Sequence, residues 1–360
     1  MMIAWSPQRV SQRPRAVRIG FLLGVALLVS ADRVEAAEPA PRTDDRNAQP
    51  FAMNMVPSIQ AMTVDQDQTV YAGSFGLGVF RSTDRGATWV PMSEGLPDPF
   101  ILALTASPDG TIYVGTIKAG VFRTRNGGKS WEALNEGLKR LEIKALLVSG
   151  GHLYAGTGDG VYTFTPGRDR WKVVTGGLSD VLVHTLAMSP DGTLYAGTSG
   201  KGVHRYKAGT AQRQWTRLSR GLIDHEGMIE NFIRVLAVDK DRAIYLGTFD
   251  GGVFQSGDGG ESWRPISRAL PNDSIRGIIT NDRGLFVATG RGVYKSVNQG
   301  RQWTSANHGL TELSVQVLVD GGAGTLYAGT SSGAFRSDDD GRTWVGISRG
   351  LEGPMIGFPF

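Results

Sequence analysis

The densest run of chemically capable side chains is Asp224-His225-Glu226, followed closely by Met228, Ile229, Glu230 and Phe232. Two carboxylates flanking an imidazole can hold a metal or pass a proton. Adjacent residues of a loop point apart, however, so the run reads better as a solvated loop whose apolar Met228, Ile229 and Phe232 meet a partner. The five histidines, at 152, 184, 204, 225 and 308, show no ligand spacing. Asp338-Asp339-Asp340-Gly341 imitates the start of a calcium loop but lacks the distal Glu. Gly73, Gly76 and Gly78 sketch a phosphate fingerprint with no helix to follow. No cofactor and no metal are expected.

A second chemical pattern is spread along the chain. Arg81, Arg123, Arg205, Lys295 and Arg336 each follow the aromatic residue of a short apolar run, and Thr163 and Gln255 replace them in two further runs. Repeated cations can form a ring that reads an acidic partner. They can equally pair with a local carboxylate or a neighbouring unit.

Both patterns depend on a repeat. An aromatic-X-(Gly/Ala)-(Ser/Thr) strand begins at Tyr71, Tyr113, Tyr154, Tyr195, Tyr245, Phe286 and Tyr327, with gaps of 42, 41, 41, 50, 41 and 41 residues. One tryptophan follows each strand, at 89, 131, 171, 215, 263, 303 and 344. Within a copy, short strands alternate with turns such as Ser107-Pro108-Asp109-Gly110. Four strands of about five residues in such a period leave no room for helices. A four-stranded sheet has two apolar faces and open edges, and radial stacking covers the faces while leaving only short edges. The expectation is an all-β, seven-bladed β-propeller over residues 51–360, with four antiparallel strands per blade. Each blade is expected from contiguous chain, starting at Ile59 and ending near Ile347. The apolar tail from Pro354 to Phe360 is expected to pack across the seam.

The turn before the tryptophan reads STDRGATW at Ser82, TRNGGKSW at Thr124, SGDGGESW at Ser256, SVNQGRQW at Ser296 and SDDDGRTW at Ser337. It resembles the Asp-box or BNR motif, S-x-D-x-G-x-T-W; the copies ending at Trp171 and Trp215 have lost its Asp-Gly pair. The expected role is structural. Asp84, Asn126, Asp258, Asn298 and Asp339 accept hydrogen bonds from turn N–H groups, and Gly86 allows positive φ. Trp89, Trp131, Trp263, Trp303 and Trp344 fill the space beside a neighbouring blade. The Asp-box families include sialidases, xyloglucan-cleaving glycosidases, sortilin-type receptors and photosystem II assembly factors with their bacterial relatives. The chain contains no Arg-Ile-Pro segment of the sialidase kind, and it makes only one propeller, whereas the xyloglucan enzymes bind between two. In size and repeat count it is most similar to the assembly factors, which implies a propeller that binds other proteins.

Composition sets the boundaries. The 360 residues include 50 Gly, about twice ordinary usage, which suits a turn-rich chain. A hydrophobic fraction of 40% with 20% charged residues excludes a disordered chain. Of the formal charge of +4, residues 1–36 hold +3, so the remainder is near neutral and no nucleic-acid partner is expected. Four arginines precede the apolar run Phe21 to Val29, the layout of a signal peptide cut after Ala36. Export to a periplasm or the extracellular space is expected, without a membrane span after cleavage. Residues 37–50, rich in Pro, Asp and Arg, read as a disordered leader. The zero cysteine count excludes disulfides and a lipoprotein anchor.

The functional expectation is a noncatalytic protein-interaction or assembly scaffold, monomeric, with an unidentified protein partner. The inserted loop ending at Phe232 is the candidate contact, because Leu222 to Tyr245 spans 23 residues where other copies use 16 or 17. The alternatives are a glycosidase, which needs two carboxylates converging about 5–9.5 Å apart, and a glycan-binding sensor.

Overall fold

The computed structural model describes residues 54–354, apart from 175, 209–213, 224–229, 269, 272 and 273. The expected signal peptide and leader, Asp224, His225, Glu226 and Met228 of the inserted loop, and most of the C-terminal tail lie outside the described residues.

Seven four-stranded antiparallel sheets form a propeller, and no helix occurs among the described residues. Each sheet takes its strands in chain order: in the first, Ile59–Val64 is innermost, followed by Val70–Ser74, Val79–Ser82 and the outer Val90–Pro91. The other inner strands are Ile101–Ala106, Ile143–Ser149, Val183–Met188, Ile233–Val238, Ile275–Asn281 and Val315–Gly322. Each packs on the next, and the seventh packs on the first, so the ring closes round a central channel. No strand is exchanged between blades, as the phase of the repeat predicts. Closure adds a two-residue ladder in which Asn54 pairs with Pro354 and Met55 with Gly353.

The second strand of each blade is buried along nearly all its length because both faces meet other blades. This contact explains the small residue in the repeated signature. A Cβ on Gly73 would lie 2.5 Å from Cγ2 of Ile101 on the next blade, so the blades approach only where the side chain is absent. The hydroxyl that follows closes the loop between second and third strands. Thr116 Oγ1 donates to Gly120 O at 3.0 Å and accepts from Ala119 N at 2.9 Å.

The tryptophans stitch neighbouring blades. Trp89 Nε1 donates to Ile347 O at 2.5 Å, Trp131 to Met92 O at 2.7 Å, Trp171 to Leu134 O at 2.6 Å and Trp344 to Ala306 O at 2.8 Å. Trp215 and Trp303 do the same to Val174 O and Ile266 O. Trp263 is buried, at 5% exposure, but its Nε1 has no hydrogen-bond partner among the described residues. The copies ending at Trp171 and Trp215 keep the stitch without the Asp-Gly pair, so the indole and not the carboxylate ties one blade to the previous one.

In the five matching turns the acidic or amide side chain is a local clasp. Asp84 Oδ1 accepts from Thr88 N at 2.9 Å and from Ser82 Oγ at 2.7 Å, while Thr88 Oγ1 donates to Oδ2 at 2.5 Å. Asp258 and Asp339 repeat this with Ser262 and Thr343. Asn126 and Asn298 accept from Ser130 N and Gln302 N. The hydrogen bond from Thr88, then that from Ser82, lowers the Asp84 carboxyl to about 2.

Candidate binding face

All seven inner strands share one irregularity. The register slips between Ile59 and Ala61, Ile101 and Ala103, Ile143 and Ala145, Val183 and Thr185, Ile233 and Val235, Ile275 and Gly277, and Val315 and Val317. In every blade one residue is left out of the ladder: Gln60, Leu102, Lys144, His184, Arg234, Arg276 and Gln316. A bulge bends its strand and re-aims the extra side chain. Each of the seven is partly buried, next to a fully buried neighbour, at the start of the innermost strand. The bulges therefore set a collar of seven side chains at the channel mouth, on the face of the loops between blades.

The collar is uneven in charge. Blades three to six carry Lys144, His184, Arg234 and Arg276 in succession, and the other three carry Gln or Leu. These groups feel one another. Burial first, then Lys144 and Arg234 on the two adjacent blades, push the His184 imidazole down to about 4, so it is neutral near pH 7. Burial and then Arg276 lower the Arg234 guanidinium to about 10. Lys144 pairs with Glu142 at 2.7 Å. Arg276 Nη1 donates to Ser314 Oγ at 2.8 Å, and its buried Nε has no hydrogen-bond partner among the described residues. Neither Arg234 nor Arg276 has an acidic partner among the described residues. Arg234 lies over the Phe249 ring at 5.0 Å, and the same ring meets His184 edge-on at 5.4 Å and Phe232 at 6.5 Å.

Exposed apolar side chains form a rim on the same face. Phe232 is 50% exposed, and Phe75, Leu141, Ile223 and Leu313 also present apolar surface to solvent. Phe75 packs edge-on against Phe100 at 4.8 Å. The end of the inserted loop is anchored: Glu230 is buried, and Asn231 O accepts from Gly200 N at 3.1 Å and Gly202 N at 2.9 Å. The corresponding Pro99 O accepts from Gly76 N and Gly78 N, so the insertion lies upstream of a shared anchor.

Two of the buried carboxylates on this face hold loops. Asp98 accepts from Phe100 N at 3.0 Å and Lys118 N at 2.7 Å. Asp159 accepts from Tyr162 Oη at 2.7 Å and Asp180 N at 3.2 Å, and the first of these keeps its carboxyl below the usual range.

The repeated cations of the third strand sit elsewhere, at the seams between blades. Arg81 Nη1 reaches Gly127 O at 3.4 Å, Arg205 Nη1 reaches Gly259 O at 3.0 Å, and Arg336 Nη1 reaches Arg85 O at 2.7 Å. Each acceptor is the same position of the next blade's tryptophan turn. Arg123 instead grips Glu132 through two hydrogen bonds of 2.8 and 2.7 Å, and Lys295 lies over Phe286 at 5.0 Å. Asp338, Asp339 and Asp340 do not converge: they serve Arg85, the tryptophan turn and Arg283 respectively.

The collar was hidden in the sequence because its members differ in type. The usable signal is positional, the second residue of each inner strand.

A family model described as photosynthesis system II assembly factor YCF48 matches residues 19–275. No curated protein matches the chain. Among solved structures, the GH74 enzyme of Niastella koreensis superposes with a TM-score of 0.65 at 14% identity, over 83% of this chain and 55% of that one. The chain thus spans little more than half of that enzyme. YCF48 from Cyanidioschyzon merolae gives 0.59 at 16% identity over 77% and 94%, and a YCF48 bound to a D1 peptide gives 0.61 at 14% over 78% and 93%. At these identities the structural likeness is one of fold. The sequence match covers most of the chain, and on that ground this propeller belongs to the YCF48 family of photosystem II assembly factors.

Proposed function

We propose that the chain is an exported, noncatalytic protein-interaction scaffold that receives an acidic or carboxylate-ended segment of a partner protein at the channel mouth. The observation that carries this reading is the arc of Lys144, His184, Arg234 and Arg276, in which both arginines are partly desolvated without an acidic partner among the described residues. A half-buried guanidinium is costly alone and gains from a carboxylate that brings charge and hydrogen-bond acceptors together. The apolar rim, including Phe232, supplies surface for side chains flanking that carboxylate. The described end of the inserted loop, Glu230 to Phe232, enters this reading as the flank of the site. A related YCF48 has been seen with a D1 peptide bound, which supports a peptide as the kind of ligand. The buried carboxylates Asp98 and Asp159 are engaged as loop clasps, which favours binding over glycoside hydrolysis.

The test is fluorescence anisotropy with a rhodamine-labelled peptide of six glutamates ending in a free carboxylate, against the Arg234→Gln/Arg276→Gln variant. A charge-assisted hydrogen bond contributes about 1.5–3 kcal/mol, so the double variant is expected to bind at least about tenfold more weakly and to show a shallower salt dependence. Equal affinity for the two proteins would remove the arc from the binding site.

A further inference from the structure

The seams between blades differ in a way that points to a second site, on the face opposite the collar and independent of it. At three seams an arginine of the third strand crosses to a carbonyl of the next blade's tryptophan turn: Arg81 to Gly127, Arg205 to Gly259 and Arg336 to Arg85. The acceptor residues share a left-handed backbone, with φ of 69°, 74° and 60°. A tyrosine from the second strand stands beside each arginine as its cross-strand neighbour, and Tyr195 Oη also reaches Gly259 O, at 3.3 Å.

The seam between blades five and six keeps every part of this arrangement except the arginine. The acceptor position is Gln299, with φ of 57°, and Tyr245 is the tyrosine. The place of the arginine is taken by Gln255, whose Nε2 stops at Tyr245 Oη, 3.1 Å away, within its own blade. Arg264 bonds Gln255 Oε1 and so stays on that blade as well. A cavity of about 500 Å³ opens there, lined among others by Tyr245, Gln299, Asp239, Asp241 and Asp282. Among the described residues the Gln299 carbonyl accepts no hydrogen bond. Asp282 is paired with Lys240 at 2.5 Å and Arg283 with Asp340 at 3.1 Å, which leaves Asp239 and Asp241 to set the sign of the cavity. Asp239 binds Ala243 N through one oxygen, at 2.7 Å, and its other oxygen faces Tyr245 Oη at 3.5 Å.

We infer that this cavity binds a guanidinium group supplied from outside the chain, an arginine side chain of a partner peptide taking the place that Arg81, Arg205 and Arg336 fill at their own seams. A planar fork of N–H donors suits a carbonyl and a carboxylate side by side, and a compact ammonium suits them less well. The same chemistry could arrive as a free arginine derivative, and the experiment separates the two sources.

Backbone amide shifts of the intact protein are followed by NMR during titration with acetyl-Gly-Arg-Gly-amide, with acetyl-Gly-Leu-Gly-amide and with argininamide. The arginine peptide is expected to shift Gly284, Ser296 and Gln299 saturably, and the leucine peptide to leave them unmoved. Binding of the capped peptide assigns the site to peptides, whereas binding of argininamide alone assigns it to small guanidinium compounds and overturns the peptide source. In Gln255→Arg the chain's own guanidinium fills the seam, so affinity for the arginine peptide falls at least about tenfold and the melting temperature rises. Should that variant fail to fold, Asp241→Asn, a change on an exposed turn, is expected to weaken binding severalfold. Undiminished binding in a folded Gln255→Arg protein, or equal shifts from the leucine peptide, would overturn the inference. Neither result bears on the channel mouth, because Arg234 and Arg276 are untouched.

Discussion

Replacing one tryptophan with phenylalanine separates the two contributions of the indole stitch, its volume and its N–H donor. Trp344 and Trp263 form a matched pair, exposed by 3% and 5% respectively. Trp344 Nε1 donates to Ala306 O at 2.8 Å, whereas Trp263 Nε1 is buried without a partner among the described residues. Each substitution leaves a small cavity, at a cost of about 1 kcal/mol. At position 344 the change also strands the Ala306 carbonyl, adding about 1–3 kcal/mol. At position 263 it removes an unsatisfied donor instead, a gain of about 1 kcal/mol that offsets the cavity. Trp344→Phe is therefore expected to destabilise the propeller by about 3 kcal/mol and Trp263→Phe by close to zero. Guanidinium chloride unfolding of both variants beside the parent protein, followed by far-UV circular dichroism, reads the difference directly. If Trp263→Phe loses as much stability as Trp344→Phe, the stitch is a matter of ring volume alone and the hydrogen-bond argument fails.

Gly73→Ala forces a Cβ into the place occupied by Ile101, and overpacking should cost about 1–3 kcal/mol, read as a lower denaturation midpoint. The blade that already carries Ala288 at this position marks what a wider seam tolerates. Because the folded Asp84 carboxyl sits near 2, below its ordinary 3.8, its contribution is complete above about pH 4 and fades as pH falls through 2. Asp84→Asn should thus be less stable than the parent at neutral pH, with a gap that shrinks markedly by pH 2, as thermal melts at the two pH values will show. His184 is shifted in the same direction, in a higher window: its folded value near 4 lies below the ordinary 6.5, so the unfolded chain binds more protons between those limits and stability declines as pH falls across them. His184→Gln should flatten that decline, and NMR titration of the imidazole should show its pKa rising when the acidic peptide is bound.

The architecture was legible because its determinants recur. Seven Tyr/Phe signatures and seven tryptophans at near-constant spacing state the blade number, and the turns before Trp89 or Trp344 state where third strands end. The position of the site was less legible, for a physical reason. The inserted loop at 224–232 is conspicuous in length, yet the structure adds the strand-one collar, whose members Gln60, Leu102, Lys144, His184, Arg234, Arg276 and Gln316 share a backbone irregularity and no side-chain chemistry. A bulge is set by how a strand fits its partner, so it leaves no residue-type signature. The basic residues of the third strand show the converse case: Arg81, Arg205 and Arg336 repeat in sequence, and their destination in the next blade's turn depends on a blade-to-blade approach that no single repeat contains.

The way the ring is shut has a consequence for engineering. Every blade draws its four strands from one uninterrupted stretch, and the two ends of the described chain are brought side by side in the short ladder of Asn54 and Met55 with Gly353 and Pro354. Circular permutation should therefore be tolerated: joining these neighbouring ends by a short linker and reopening the chain at another connection between blades would divide no sheet. New termini placed just before the exposed Phe232 would then carry a reporter to that face of the ring without interrupting any of the seven wedges.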